Sequence, residues 1–168
     1  MYSPSRWFLF TVVCMGTIIT TAGATYAGDR PLTDVYYDEG HMQYLYTTGD
    51  SIYRGGVGSD ETYTVSFSLD LPPGADVRFQ RLYLYWAWSN LNQKPFYPVF
   101  NLSDSRAPSS GLESAARYVD SKGVVGTYDF YSGTDAYILP PLRPGENNLT
   151  VTLTQSGPPE SSVAISGM

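Results

Sequence analysis

Thr62-Tyr63-Thr64-Val65-Ser66-Phe67-Ser68-Leu69 alternates without a break. Tyr63, Val65, Phe67 and Leu69 share one face; Thr62, Thr64, Ser66 and Ser68 share the other. A two-residue period with one apolar and one hydroxyl-bearing face is the pattern of a half-buried strand. Asn148 to Thr154 repeats it, with Leu149, Val151 and Leu153 on the apolar side and Thr150, Thr152 and Thr154 on the polar side. Leu71-Pro72-Pro73-Gly74 leaves the first strand, and Arg143-Pro144-Gly145-Glu146-Asn147 enters the second. Both are turn sequences: proline fixes φ, glycine supplies positive φ, and Asn147 can bond nearby backbone.

Between these strands, Val77 to Trp88 is bulky on both faces. Leu82, Leu84, Trp86 and Trp88 fall on one side, and Tyr83, Tyr85 and Ala87 on the other. This predicts a central strand covered on both sides. Val77 and Phe79 are out of phase with Leu82, which predicts a bulge near Gln80-Arg81. Shorter strands are expected at Gln43–Tyr46, Phe96–Asn101, Arg117–Val119, Val124–Tyr131 and Ala136–Leu139. Ser103–Ser114 is expected to be a surface loop, with one helical turn over Gly111–Ala116. Gly55-Gly56-Val57-Gly58 lacks the spacing and lysine of a phosphate loop and is expected to be a turn. Short strands, regular turn signals and no long helical period predict an all-β fold: one antiparallel β-sandwich, jelly-roll-like. Ser162–Met168 starts a further element that ends at once, so the sandwich is expected to be C-terminally incomplete.

The N-terminus has a different composition. Arg6 precedes an apolar run from Trp7 to Ile19, and small residues follow to Ala27. That order is expected of a secretory signal helix over residues 1–27, cleaved after Ala27 or after Ala24. The alternative is an uncleaved anchor, for which the run is near the lower length limit. Residues 28–168 then form a single domain, extracellular or at the cell surface. Cys14, the only cysteine, leaves with the signal, so the mature domain is expected to hold no disulfide. The chain carries a net charge of −6. The leader has one base and no acid, so its removal deepens that excess. An acidic domain argues against nucleic acid and anionic lipid as partners. Membrane contact is expected only through an uncleaved leader.

Two blocks resemble a known family. One is Thr64–Val77 running into Arg81-Leu82-Tyr83-Leu84-Tyr85-Trp86; the other is Ala136–Val151 with its Arg143–Asn147 turn. With Gly55-Gly56 upstream, they resemble an uncharacterised β-rich domain family of secreted and cell-surface proteins of methanogenic archaea, over roughly Pro31 to Met168. More loosely, they are similar to galactose-binding-like jelly-roll domains. The resemblance implies no catalytic residue.

The side chains point to binding rather than catalysis. His41 is the only histidine. A histidine-based triad or zinc site would have to use it, and beside Gly40 it reads as an exposed loop residue. Fifteen tyrosines stand out, and Tyr36, Tyr37, Tyr44, Tyr46 and Tyr53 cluster near the start of the domain. Exposed tyrosines stack on sugar faces, and tyrosine is also a favoured strand residue. Acids in turn-like positions, Asp34, Asp38, Asp129 and Asp135, are weak calcium candidates; solvated turn residues are the plainer reading. No other cofactor is expected. Asn101-Leu102-Ser103 and Asn148-Leu149-Thr150 are acceptor sequons for N-linked glycan. The expected function is a non-enzymatic surface module for adhesion, envelope structure or carbohydrate contact, with glycans or envelope proteins as partners. The alternative is a secreted glycoside hydrolase that uses two of the loop carboxylates.

Overall fold

The computed structural model describes residues 34–120 and 130–168. The expected signal segment, residues 1–27, lies outside the described residues, as does Asp129. The described residues form nine strands and no helix: β1 (Arg54–Gly58), β2 (Thr62–Leu71), β3 (Arg81–Leu91), β4 (Lys94–Pro95), β5 (Phe100–Asp104), β6 (Ser114–Asp120), β7 (Tyr131–Ile138), β8 (Gly145–Gln155) and β9 (Ser161–Gly167). They build two antiparallel sheets. The larger has the order β1-β9-β3-β7-β6, with β4 folded back on β3; the smaller has the order β2-β8-β5.

The two alternating segments do what their pattern dictates. β2 and β8 pair in unbroken register from Thr62 opposite Thr154 to Leu71 opposite Gly145. Tyr63, Val65, Phe67, Leu149, Val151 and Leu153 are buried between the sheets. The turn after β2 is closed by the Ala75 N–H on the Pro72 carbonyl at 3.0 Å, with Gly74 at φ 79°. That is a type II turn, with proline and glycine at the positions it requires. Before β8, Asn147 accepts from Arg143 N at 3.0 Å and donates to the Arg143 and Gly145 carbonyls at 2.7 and 2.8 Å.

β3 is central, paired with β7 on one side and β9 on the other. Leu82, Leu84 and Trp86 point into the core. Several expectations need correction. The bulge is not at Gln80-Arg81: residues 77–80 precede the strand, and the register shifts instead between Tyr85 and Asn90. There Trp88 adopts φ 54°, so the side-chain phase slips by one residue. Ser89 turns inward, and Trp88, expected inward, is 59% exposed. The outer face of β3 is also not covered throughout, since Tyr85 is exposed. Gly55–Gly58 is not a turn but most of β1, whose bulge lets Val57 reach the core. Residues 43–46 form no strand. Phe96–Asn101 becomes a strand only from Phe100, and Gly111–Ala116 makes no helical turn because β6 begins at Ser114. Ser162–Gly167 lies within β9, a strand of seven residues paired on both edges.

The loop after β5 is pinned by charge. Asp104 is fully buried and accepts from Arg106 Nη2 at 2.5 Å, from Nε at 3.1 Å and from the Arg106 backbone N–H at 2.9 Å. Burial pushes the carboxyl pKa up. The side-chain hydrogen bonds, the backbone N–H and the cation together outweigh that and hold it below the usual value. A carboxylate with a depressed folded pKa stabilises the fold above its unfolded pKa of roughly 3.9, and that contribution is lost as pH falls through the folded value. Acidification below about pH 4 is therefore expected to cost stability through Asp104. Asp104→Asn should flatten this acid limb in urea titrations and lower stability at neutral pH by about 1–3 kcal/mol. An unchanged limb would assign the loss to other carboxylates.

Candidate functional site: a tyrosine-lined cleft

Residues 34–53 run as an irregular strap that is fastened at one end. The Asp50 N–H bonds the Ser66 carbonyl at 3.1 Å, and the Asp50 carboxylate accepts from Ser66 N at 2.6 Å. The Tyr63 hydroxyl accepts from Ile52 N at 2.9 Å and donates to the Ile52 carbonyl at 2.7 Å. Ser51 Oγ accepts from Met168 N at 2.9 Å. Gly49 makes the approach feasible: it sits at φ 56°, and a Cβ there would fall 2.2 Å from the Ser66 carbonyl oxygen.

At the other end, Tyr36 stacks on Phe79, with ring centroids 4.9 Å apart and planes 20° off parallel. The Arg81 guanidinium lies 5.0 Å from the Phe79 centroid. Between these two fastenings the strap frames an open cleft of about 1170 Å³. Tyr36, Tyr37, Tyr44 and Tyr46 come from the strap, and Tyr83 and Tyr85 from the outer side of β3. Leu71, Leu142 and Leu149 contribute an apolar floor, and Asp38, Glu39, Arg78 and Arg81 are among the polar groups around it. Tyr44 is 84% exposed and Tyr37 74% exposed.

Hydrogen bonding orients the strap phenols. Tyr36 donates to Asp38 Oδ2 at 2.8 Å, and Tyr37 donates to Glu39. The first bond, with a smaller contribution from burial, raises the Tyr36 pKa. Tyr37 is raised in the same way by Glu39. The same Tyr36 hydrogen bond, helped by the Glu39 N–H, holds Asp38 below the usual carboxylate value. The Tyr85 phenol is pushed up by burial first, then by Tyr46, Tyr83 and Tyr44. The cleft thus presents aromatic faces, with the raised phenols of Tyr36, Tyr37 and Tyr85, beside the lowered Asp38 carboxyl.

Of the five tyrosines singled out from the sequence, the structure brings Tyr36, Tyr37, Tyr44 and Tyr46 to this cleft; Tyr53 is exposed but not among its walls. His41 lies on the strap and lines the cleft. Among the described residues the acidic candidates do not assemble. Asp34 and Asp38 lie on the strap, and Asp135 is not in a turn but in β7, buried against Arg117. Among the described residues no three His, Cys, Asp or Glu side chains converge into a metal-binding group. Asn101 and Asn148 are exposed on the smaller sheet. Tyr83, Tyr85, Phe79 and Arg81 join the cleft as well, and the bulky second face of β3 is the sequence signal for the first two.

A second polar cluster lies inside the larger sheet. Arg117 of β6 grips Asp135 of β7 twice, Nε to Oδ1 at 2.8 Å and Nη2 to Oδ2 at 2.5 Å, and Nη1 donates to the Pro98 carbonyl at 2.7 Å. Asp135 raises the Arg117 pKa against the opposing effect of burial. The Tyr137 phenol is pushed strongly upward, by burial first and then by Asp135. These groups satisfy one another and tie β6 to β7.

Residues 25–168 match the family described as Protein of unknown function (DUF3344), and the chain belongs to that family. No curated protein and no solved structure matches the chain.

Proposed function

From membership of a family with no assigned activity, we propose that this domain is an exported, non-enzymatic module of the cell surface that contacts carbohydrate through the strap cleft. One observation carries the reading: four strap tyrosines and two from β3 converge on one open cleft with charged groups beside them. Aromatic faces stack on the C–H faces of sugars, and adjacent carboxylates and guanidinium groups bond their hydroxyls. The strand order lends support. Six of the eight steps between successive strands switch sheets, while β3 to β4 and β6 to β7 stay within the larger one, an interleaving that a jelly roll shares. The Arg6–Ala27 leader order supports export.

A glycan array with the purified domain tests the proposal. We expect binding that Tyr44→Ala weakens about 10-fold, the effect of losing one aromatic contact. Circular dichroism should be unchanged, because Tyr44 is exposed. Binding should survive chelation if stacking acts alone, and fall on chelation if calcium orders the strap. Absence of binding to every glycan, or binding indifferent to Tyr44, would overturn the carbohydrate reading. Polysaccharide turnover lost on changing Asp38 or Glu39 would favour the hydrolase alternative.

A further inference from the structure

The outer face of the smaller sheet is unlike the tyrosine cleft. Across it run Thr62, Thr64, Ser66, Ser68 and Asp70 of β2, then Glu146, Asn148, Thr150, Thr152 and Thr154 of β8, then Asn101 and Ser103 of β5. Every one is polar, and all are exposed or half-buried. Both sequons of the chain fall on this face. Asn101 stands opposite Thr154, near one end of β8, and Asn148 opposite Ser68, near the other. At about 3.3 Å per residue the two positions lie roughly 20 Å apart along the sheet.

The strand period sorts the three positions of each sequon. Residues i and i+2 share the outer face, so Asn101 stands beside Ser103 and Asn148 beside Thr150. The intervening Leu102 and Leu149 point into the core. Each asparagine Nδ2 makes one hydrogen bond, Asn101 to Ser156 Oγ at 2.7 Å and Asn148 to Glu146 Oε1 at 2.6 Å. An amide nitrogen has two hydrogens, so each bond uses one and leaves the other. A substituent at either Nδ2 therefore projects into solvent without disturbing a buried group.

We propose that the smaller sheet's outer face is a glycan-bearing face, modified at both Asn101 and Asn148. In each transfer, Nδ2 attacks the anomeric carbon of a lipid-pyrophosphate-linked oligosaccharide. The N–C bond forms, the C–O bond to pyrophosphate breaks, the lipid pyrophosphate leaves, and the Nδ2 proton passes to base. Two glycans at opposite ends of β8 shade the hydroxyl rows between them. The tyrosine cleft on the strap is left as the open protein surface. The proposal requires export but is independent of what the cleft binds.

The test is the full chain placed behind a leader native to a host with an N-glycosylation pathway, recovered from the medium and weighed intact. We expect two glycan increments, one lost in Asn101→Gln, the other in Asn148→Gln, and both in the double variant. Peptide fragmentation should place the sugars on these residues. A chain recovered from the medium without increments, while a control sequon protein from the same cells is modified, would overturn the proposal. So would modification confined to one asparagine. Circular dichroism of the double variant should match wild type, so that missing sugar is not mistaken for misfolding.

Discussion

Replacing Trp86 by alanine is expected to lower stability by about 3–5 kcal/mol, the range for emptying a filled aromatic site in a core. Trp86 is 2% exposed on the strand that pairs on both sides. Its ring reaches the opposite sheet, 6.2 Å from the Phe100 centroid at a tilt of 58°. The Arg117 guanidinium lies 5.7 Å from the Trp86 ring centroid. Directly across on β7 stands Gly133, and the fit there is close: a Cβ on Gly133 would come 2.5 Å from the indole Cζ2. β7 thus has a glycine where the indole needs the room. Truncation would empty that space and would remove the indole N–H that faces Asp135 at 3.4 Å. Urea denaturation followed by circular dichroism measures the loss. Trp88→Ala, at an exposed position on the same strand, provides the contrast. A loss below about 1 kcal/mol at Trp86 would mean that the ring is not the contact between the sheets.

The neighbouring residues Trp86 and Trp88 show where the sequence was legible and where it was not. β2 and β8 were readable because their solvent face is uniformly polar and mostly hydroxyl-bearing, so a period of two is visible without tertiary information. In β3 both faces are aromatic, so the pattern cannot reveal a slip of one residue. The slip depends on backbone geometry, φ 54° at Trp88, which composition does not encode. The tyrosine cluster was legible as a group, because the strap is a single local segment. Its partners Tyr83 and Tyr85 were not, because they reach the cleft through a chain reversal far along the sequence. Asp135 was misplaced for a related reason: an acid beside Gly133 and Thr134 suggests a turn, and only the pairing of β7 with β6 supplies the cation that permits burial. The same phase argument points the right way in hindsight, since Asp135 lies two residues before the buried Tyr137 and shares its face.

Arg117→Ala is expected to cost about 3 kcal/mol, toward the lower end of the 3–5 kcal/mol usual for breaking a buried pair from one side. The asymmetry of the pair sets that value. Asp135 is 2% exposed, whereas the Arg117 side chain is 32% exposed. Removing the guanidinium leaves the carboxylate in the core with only the Trp86 N–H and the Tyr137 hydroxyl near it, both at 3.4 Å. It also orphans the Pro98 carbonyl and removes the cation packed beside Trp86 and Phe100. The opening left by Arg117 admits water, which limits the penalty. Replacing both partners, Arg117→Met with Asp135→Leu, leaves no buried charge but still deprives the Pro98 carbonyl, the Trp86 N–H and the Tyr137 hydroxyl of these partners, so it is expected to recover about 1 kcal/mol of the loss rather than all of it. Denaturant titration of the three proteins tests this. Amide exchange along β6 adds a second measurement, because the pair is a side-chain link from β6 to β7 and exchange there should quicken in Arg117→Ala and slow again in the double variant. If the double variant proves as unstable as the single one, the contribution of Arg117 lies in the Pro98 carbonyl and the aromatic contacts, and the ion pair is not what holds β6 in place.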